Sequence, residues 1–340
     1  MKGLNVAVVG ATGMVGQEFL RILEQRDFPV RHCSLFASGK TAGKKVLVRD
    51  QEVEVKEIGA HAFQGIDLAF FSAGTEISQH SAPQAVREGA VVVDNSAAFR
   101  MEAKVPLVVP EINPDDVRQH CGIIANPNCS TIQMVVALNP LHRVNPIRRI
   151  VVDTYQSVSG TGREAVEELS TQSKAVLDGK NASPHIYPHQ IAFNLLPEID
   201  VFMDNGYSKE EWKMVQETRK IMHAPALAIS ATCVRVPVYI GHSESIHVEF
   251  TRPMSAVEAR QILAEAPGVT VQDDLSVHLY PHPWAVAGND DVYVGRIRED
   301  ASQPNSLALW VVADNVRKGA ALNGIQIAEW MLQNGLLSPR

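Results

Sequence analysis

LNVAVVGATGMVG, residues 4 to 16, decides the fold. LNVAVV is long and apolar enough for a buried strand, and a glycine-rich turn stops it. Phe19, Leu20 and Leu23 then recur at helical spacing. Strand, glycine turn and helix in that order give a G-x-x-G-x-x-G run its meaning as a dinucleotide-binding loop. Gly10 permits the tight turn. Gly13 lets the backbone approach a pyrophosphate, and Gly16 lets the helix pack closely on the strand. Gly10, Ala11, Thr12, Gly13, Met14 and Val15 are the candidate cofactor-binding residues here. A turn that serves packing alone is the competing reading.

Outward from this loop, the strand-then-turn pattern repeats. Residues 32–37 read as a second strand ending in Ser38-Gly39-Lys40-Thr41. An NAD enzyme places an acidic residue at this point to bind the ribose 2′-hydroxyl. Hydroxyls and a lysine suit a 2′-phosphate better, so Ser38, Gly39 and Thr41 join the cofactor set and NADP is favoured over NAD; a merely solvated loop is the alternative. DLAFFS (67–72) and VVVDN (91–95) are apolar on both faces and follow helical stretches, the pattern of a parallel sheet. Ligands bind beyond the carboxyl ends of such strands. Ser72, Gly74 and Asn95 are therefore cofactor candidates, and Arg100 stands where an anion could be held or where an arginine simply meets solvent.

Composition sets the class. The chain has 340 residues, 45% apolar and 20% charged, enough for about two domains with cores of their own. A formal net charge of −7 and a pI near 5.9 argue against general nucleic-acid binding. No apolar run reaches the ~18 residues of a membrane helix, and Leu4–Val9 is too short for a signal peptide. Cys33, Cys121, Cys129 and Cys233 form no C-x-x-C pair, so neither a metal site nor a redox pair is indicated, and a reduced cytoplasmic setting is expected.

ANPNCST (125–131) carries the chemistry. Asn126, Pro127 and Asn128 form turns. Ile132, Val135, Val136 and Leu138 then recur at helical spacing. Cys129 thus sits at a helix start, where N–H groups and the dipole favour a thiolate.

Beyond it, RRIVVDTYQS (149–157 with Arg148) reads as a strand that places Gln156 at its end, followed by the turn Val158-Ser159-Gly160-Thr161-Gly162 and a helix over 163–177. Residues 181–200 read as a long ordered loop, in which His185 and His189 lack the helix a metal pair needs. Ser208 and Glu211 form a capping box, and Glu210 and Lys213 share a helix face. Residues 228–238 and 243–252 read as strands joined near Gly241, with Arg235 on one and His242 and His247 as rival acid–base candidates. Strands over 291–296 and 306–313 are expected to complete an antiparallel sheet, and a helix over 317–333 to return the chain to the first domain.

GATGMVG, SAAFR (96–100), NPNCST (126–131), YQSVSGTG (155–162) and EEWK (210–213) together resemble the aspartate-β-semialdehyde dehydrogenase family over essentially the whole chain. The resemblance implies a Rossmann-type α/β domain for NADP, residues 1–131 completed by about 315–340. It implies an α+β catalytic and dimerisation domain with a mainly antiparallel sheet, residues 132–314. The family reduces β-aspartyl phosphate with NADPH through a cysteine thioester, on the route to lysine, threonine and methionine, as a homodimer.

Matched by motif, Cys129 is the nucleophile, Gln156 orients the substrate, and Arg235 holds its carboxylate. His242 is the general acid–base, which chooses it over His247. Glu210 recognises the amine, and Arg100 and Lys213 take the phosphate. Asn315 lies near the nicotinamide; Asn128 completes the substrate set and Ser159 and Gly160 the cofactor set. The rivals are N-acetyl-γ-glutamyl-phosphate reductase, which has no need of Glu210 for a free amine, and a non-catalytic nucleotide-binding scaffold.

Overall fold

The computed structural model describes residues 3–49 and 51–339. The chain divides into two compact units, Met1–Asn128 with Ala320–Arg340, and Cys129–Gly319.

In the first unit, β1 (Leu4–Val9), α1 (Met14–Gln25), β2 (Val30–Phe36), β3 (Lys45–Val48), β4 (Gln51–Lys56), β5 (Leu68–Phe71), α2 (Thr75–Arg87), β6 (Val91–Asp94) and β7 (Ile123–Ala125) follow in order. The seven strands pair as β3-β4-β2-β1-β5-β6-β7. All pairings are parallel except β3 with β4. Phe19 of α1 stacks on Phe70 of β5 at 4.7 Å. The C-terminal helix of the chain supplies Leu322, Ile325 and Ile327 to the same core. Burying each such side chain is worth about 1.5–3 kcal/mol, so the returning helix is part of this unit's stability. Because β1 lies between β2 and β5, the carboxyl ends of β1 and β5 open a crevice at a topological switch point.

The second unit runs α3 (Cys129–Val144), β8 (Ile147–Gln156), α4 (Arg163–Leu177), α5 (Lys209–Ile221), β9 (Ala228–Arg235), β10 (His242–Phe250), α6 (Ala256–Ala264), β11 (Val269–Val271), α7 (Pro283–Val286), β12 (Val292–Glu299) and β13 (Ser306–Ala313). Its sheet order is β11-β12-β13-β10-β8-β9. The sheet is mainly antiparallel, but β9 runs parallel to β8 and β11 parallel to β12. β9 and β10, consecutive in sequence, are not neighbours; β8 lies between them. A parallel β8–β9 pair needs a long crossover, and residues 157–227 with α4 and α5 provide it.

α3 is buried on every side from Ser130 to Asn139, packed against the sheet, α5 and α6. The 181–200 segment carries no helix or strand and is pinned by Ile191, Ala192 and Leu196 against Val158 and Leu169. The Glu168 carboxylate accepts the N–H groups of His185 and Ile186 at 2.9 and 2.6 Å. The last helix begins with a π-helical turn, Arg317–Ala321, before α8 (Leu322–Gln333).

Candidate active site

In the first unit the glycine loop has the geometry its spacing predicts. Gly10 adopts φ +84°, and a Cβ there would come within 2.5 Å of the Ser72 carbonyl oxygen. A Cβ on Gly16 would collide with the Gly10 carbonyl oxygen. The bare backbone therefore forms a cradle at the start of α1. It opens into a cavity of about 950 Å³ lined by Gly10, Thr12, Gly13, Ser38 and Ser72 among others. Glu57, His61 and His80 also line it; the sequence reading passed over them because they follow no glycine motif. Thr12 and Thr41 approach through their hydroxyls at 3.3 Å, and the Glu57 carboxylate rests against Gly39. Volume and shape suit a dinucleotide.

Asn95 and Arg100 lie farther along this unit. The Asn95 side chain accepts from Asn126 at 2.6 Å. Arg100 is buried, with Nε donating to the Asn126 carbonyl at 2.9 Å and Nη2 to the Asn95 carbonyl at 3.0 Å. Asn128 is buried at the end of the unit.

The second unit gathers Cys129, Gln156, Arg235, Glu210, Lys213, His242, Ser159, Gly160 and Asn315. Cys129 is the first residue of α3 and is half-buried, not sealed in the core. Gly319 lies so close that a Cβ on it would stand 3.0 Å from the Cys129 Cβ. The sheet supplies the next three residues through its register. Gln156 pairs with Arg235 across β8 and β9, while Thr154 pairs with Cys233 on one side and Glu244 on the other. Two residues on from Glu244, on the same face, stands His242.

Gln156 is fixed at both ends: its oxygen accepts from Thr154 at 3.0 Å and its nitrogen donates to Glu210 at 3.0 Å. Glu210 is presented by the first turn of α5, whose N-terminus carries the predicted capping box. The Ser208 hydroxyl accepts the Glu211 N–H at 3.3 Å, and the Glu211 carboxylate accepts the Ser208 N–H at 2.7 Å. Lys213 donates to Glu210 at 3.0 Å and to Asp200 at 2.9 Å. Burial alone would pull its ammonium down, but the two carboxylates outweigh it and hold its pKa above the ordinary range.

His242 is fully buried. Its Nδ1 accepts the backbone N–H of Ser157 at 3.0 Å and lies 3.1 Å from the Ser157 hydroxyl. A backbone amide can only donate, so the neutral ring carries its proton on Nε2. That Nε2 has no partner among the described residues. Burial first, and then the Arg235 guanidinium, push the imidazole down to about 3, with Glu210 acting in the opposite direction.

Arg235 is buried beside it, donating from Nη1 to the Ser157 carbonyl at 2.7 Å, while its Nε has no partner among the described residues. A Cβ on Gly160 would lie 3.1 Å from Arg235 Nη1 and 3.4 Å from His242 Nε2. The missing side chain thus leaves a gap bounded by two buried donors. Asn315 locks this turn in place: its oxygen accepts from Gly241 N at 2.8 Å and from the Ser157 and Ser159 hydroxyls at 3.1 and 3.2 Å. Ser157, Thr154 and Asp200 were not singled out from sequence. Only the period-two alternation of Thr154 with Gln156 hinted at a shared face.

His247, the rival imidazole, pairs instead with Asp300 at 2.7 Å and has no place in this cluster.

A family model for the NAD binding domain of semialdehyde dehydrogenases matches residues 5–120, and one for their dimerisation domain matches residues 138–318. The chain is 52% identical to aspartate-semialdehyde dehydrogenase of Bacillus subtilis strain 168, over 96% of this chain and 97% of that protein. Among solved structures it is similar to aspartate semialdehyde dehydrogenase II of Vibrio cholerae complexed with ASA, with a TM-score of 0.94, 44% identity, and coverage of 98% and 99%. It is also similar to the enzyme of Candida albicans solved with NADP, with a TM-score of 0.78, 27% identity, and coverage of 98% and 100%. Matched in both halves and sharing half its residues with a curated relative over nearly the full length, the chain belongs to the aspartate-semialdehyde dehydrogenase family.

Proposed function

We propose that this chain catalyses the NADPH-dependent reductive dephosphorylation of β-aspartyl phosphate to aspartate β-semialdehyde through a thioester on Cys129. The observation that carries the reading is the Gly160 gap between Arg235 and His242, with Gln156, Glu210 and Lys213 chained beside it. Arg235 pairs with the substrate carboxylate, for which a guanidinium has the bidentate fork that lysine lacks. Glu210 takes the substrate ammonium, and Lys213 and Arg100 take the phosphate. Gln156, clamped from both sides, orients the acyl group. Asn128 borders the same substrate.

Cys129 attacks the acyl carbon as the thiolate. The tetrahedral oxyanion collapses, the carbon–oxygen bond to phosphate breaks, and phosphate leaves with the electron pair. Bound NADPH supplies a hydride to the thioester carbonyl. The second oxyanion collapses to the aldehyde and returns the electron pair to sulfur. At both stages His242 donates a hydrogen bond from its Nε2–H to the carbonyl oxygen and keeps the proton, a role different from the acid–base transfer that the resemblance implies. A donor already aimed at developing charge in a water-poor site is worth about 10²–10³ in rate.

The loop from Gly10 to Val15 binds the pyrophosphate at the start of α1. Ser72, Gly74 and Asn95 would serve the same cofactor in the first unit, and Ser159, Gly160 and Asn315 keep the cofactor role that the family resemblance implies for them. NADP rather than NAD is supported by Ser38 and Thr41, which follow β2 with hydroxyls where an NAD site would carry an acid. The homodimer is supported by the dimerisation-domain match and by exposed apolar side chains at Phe193, Leu195, Val201 and Phe202. A reactive thiol at Cys129 suits the reducing cytoplasm. No helix among the described residues is long and apolar enough to cross a membrane.

The deciding experiment is phosphate-dependent reduction of NADP by aspartate β-semialdehyde. Wild type should turn over and Cys129→Ala should not. Turnover with N-acetylglutamate γ-semialdehyde instead would move the chain to the sister reductase, and activity in Cys129→Ala would remove the thioester.

A further inference from the structure

Glu244 has no part in the chemistry above, yet it stands two residues from His242 on β10. Its side chain is fully buried, and neither carboxyl oxygen has a hydrogen-bond partner among the described residues. The fully buried amide of Gln133 is in the same state at both its oxygen and its nitrogen. The two face each other, for it is the Gln133 amide that acts on the Glu244 carboxyl against the effect of burial. Buried polar atoms without partners are rare enough in folded proteins that each asks for a reason.

Their positions supply one. Gln133 is one helical turn after Cys129 on α3, and so lies on the same helix face. Glu244 is two residues after His242 on β10, and so lies on the same sheet face. Among the described residues no cation acts on the Glu244 carboxyl: the Cys233 thiol lies beyond β8 on β9, and Glu210 and Glu211 act on that thiol from α5. His242, on its own strand, is held neutral. Burial pushes the Glu244 carboxyl well above the usual carboxylate range, and an ionised carboxylate would offer the Gln133 oxygen no donor, so the form that fits the site is the acid with one donor and one acceptor. An amide offers the same complement, and the four unpartnered atoms match as one acid–amide pair.

We propose that Glu244 is a positioning residue: as a neutral acid it pairs with Gln133 and so fixes the strand carrying His242 against the helix carrying Cys129. The proposal rests on the reading of those two residues as nucleophile and oxyanion donor. Ionisation of Glu244 removes the proton that Gln133 accepts, the pair opens, and the reacting groups lose register while the substrate contacts of Arg235 and Glu210 stay intact. Loss of Glu244 therefore falls on kcat and leaves KM nearly unchanged.

The test combines infrared spectroscopy with kinetics on the full-length protein. Wild type at neutral pH should show the carbonyl stretch of a protonated carboxylic acid that is absent from Glu244→Gln. Glu244→Gln keeps the donor–acceptor pattern and should retain most of kcat without a Glu244 ionisation at alkaline pH. Glu244→Leu leaves Gln133 unpaired and should lose about ten- to a hundred-fold in kcat. Absence of the acid band in wild type overturns the proposal, and so does a Glu244→Leu protein with wild-type kcat. Should Glu244→Leu fail to fold, an alkaline fall in kcat shared by wild type and Glu244→Gln overturns it instead, and one confined to wild type supports it. The infrared band needs no substrate, so its absence counts against Glu244 alone, whereas lack of turnover by wild type counts against the assigned reaction.

Discussion

Gly160→Ala adds one methyl group at the point where the reading places the substrate. The added carbon would stand 3.1 Å from Arg235 Nη1 and 3.4 Å from His242 Nε2. A carboxylate or carbonyl oxygen at hydrogen-bond distance from those donors needs the same space. Gly160 is in a 3₁₀ turn and is not among the glycines of positive φ, so alanine fits the backbone. Its effect on stability should stay within about 1 kcal/mol. The effect on catalysis is larger. Two hydrogen bonds to charged groups, at about 1.5–3 kcal/mol each, correspond to about a hundred-fold or more in kcat/KM.

The assay is initial-rate reduction of NADP with aspartate β-semialdehyde and phosphate, alongside a thermal melt of the same preparations. Gly162→Ala is the control, because Gly162 sits at φ +119° with open space around its missing side chain. It should lower stability and leave kcat/KM intact. A Gly160→Ala enzyme with wild-type kcat/KM would refute the assignment of that gap to substrate.

Three further outcomes are expected. His242→Gln keeps an N–H donor near the Nε2 position and should retain clearly more kcat than His242→Ala, whose loss should be about 10²–10³-fold; equal losses would show that the ring transfers a proton. Glu57, whose carboxylate lies beside Gly39 in the cavity at the glycine loop, would oppose a 2′-phosphate bound there. Glu57→Gln should therefore tighten NADP a few-fold without tightening NAD, and the gain should shrink with salt, as read by fluorescence titration. The third concerns pH. His242 titrates near 6.5 when unfolded and is pushed down to about 3 in the fold, so the unfolded chain binds the extra proton. Its contribution to stability is present above pH 6.5 and is lost as the pH falls towards 3. Stability read from denaturant melts should fall less steeply with pH across that window in His242→Gln than in wild type.

Much of this protein is legible in its order of residues, because the governing interactions are local. The strand-turn-helix of residues 4–16, the helix start at Cys129 and the capping box at Ser208 and Glu211 depend on neighbours within a few positions, and each forms as its spacing predicts. The pairing of strands does not have that property. Nothing near Gly241 says that β8 will insert between β9 and β10, because that choice is made by the crossover through α4 and α5 and by burial on both sheet faces. The same insertion puts Gln156 opposite Arg235 and Thr154 beside Glu244.

Sequence therefore determined the kinds of group present, a thiol at a helix start, a guanidinium, an imidazole and a phosphate loop, since these follow from residue identity and short-range spacing. Only the tertiary structure decided which nitrogen of His242 carries its proton, that Gly160 stands against Arg235 and His242, and that Glu244 lies sealed two residues from His242, since burial and long-range hydrogen bonds exist only once distant segments have packed.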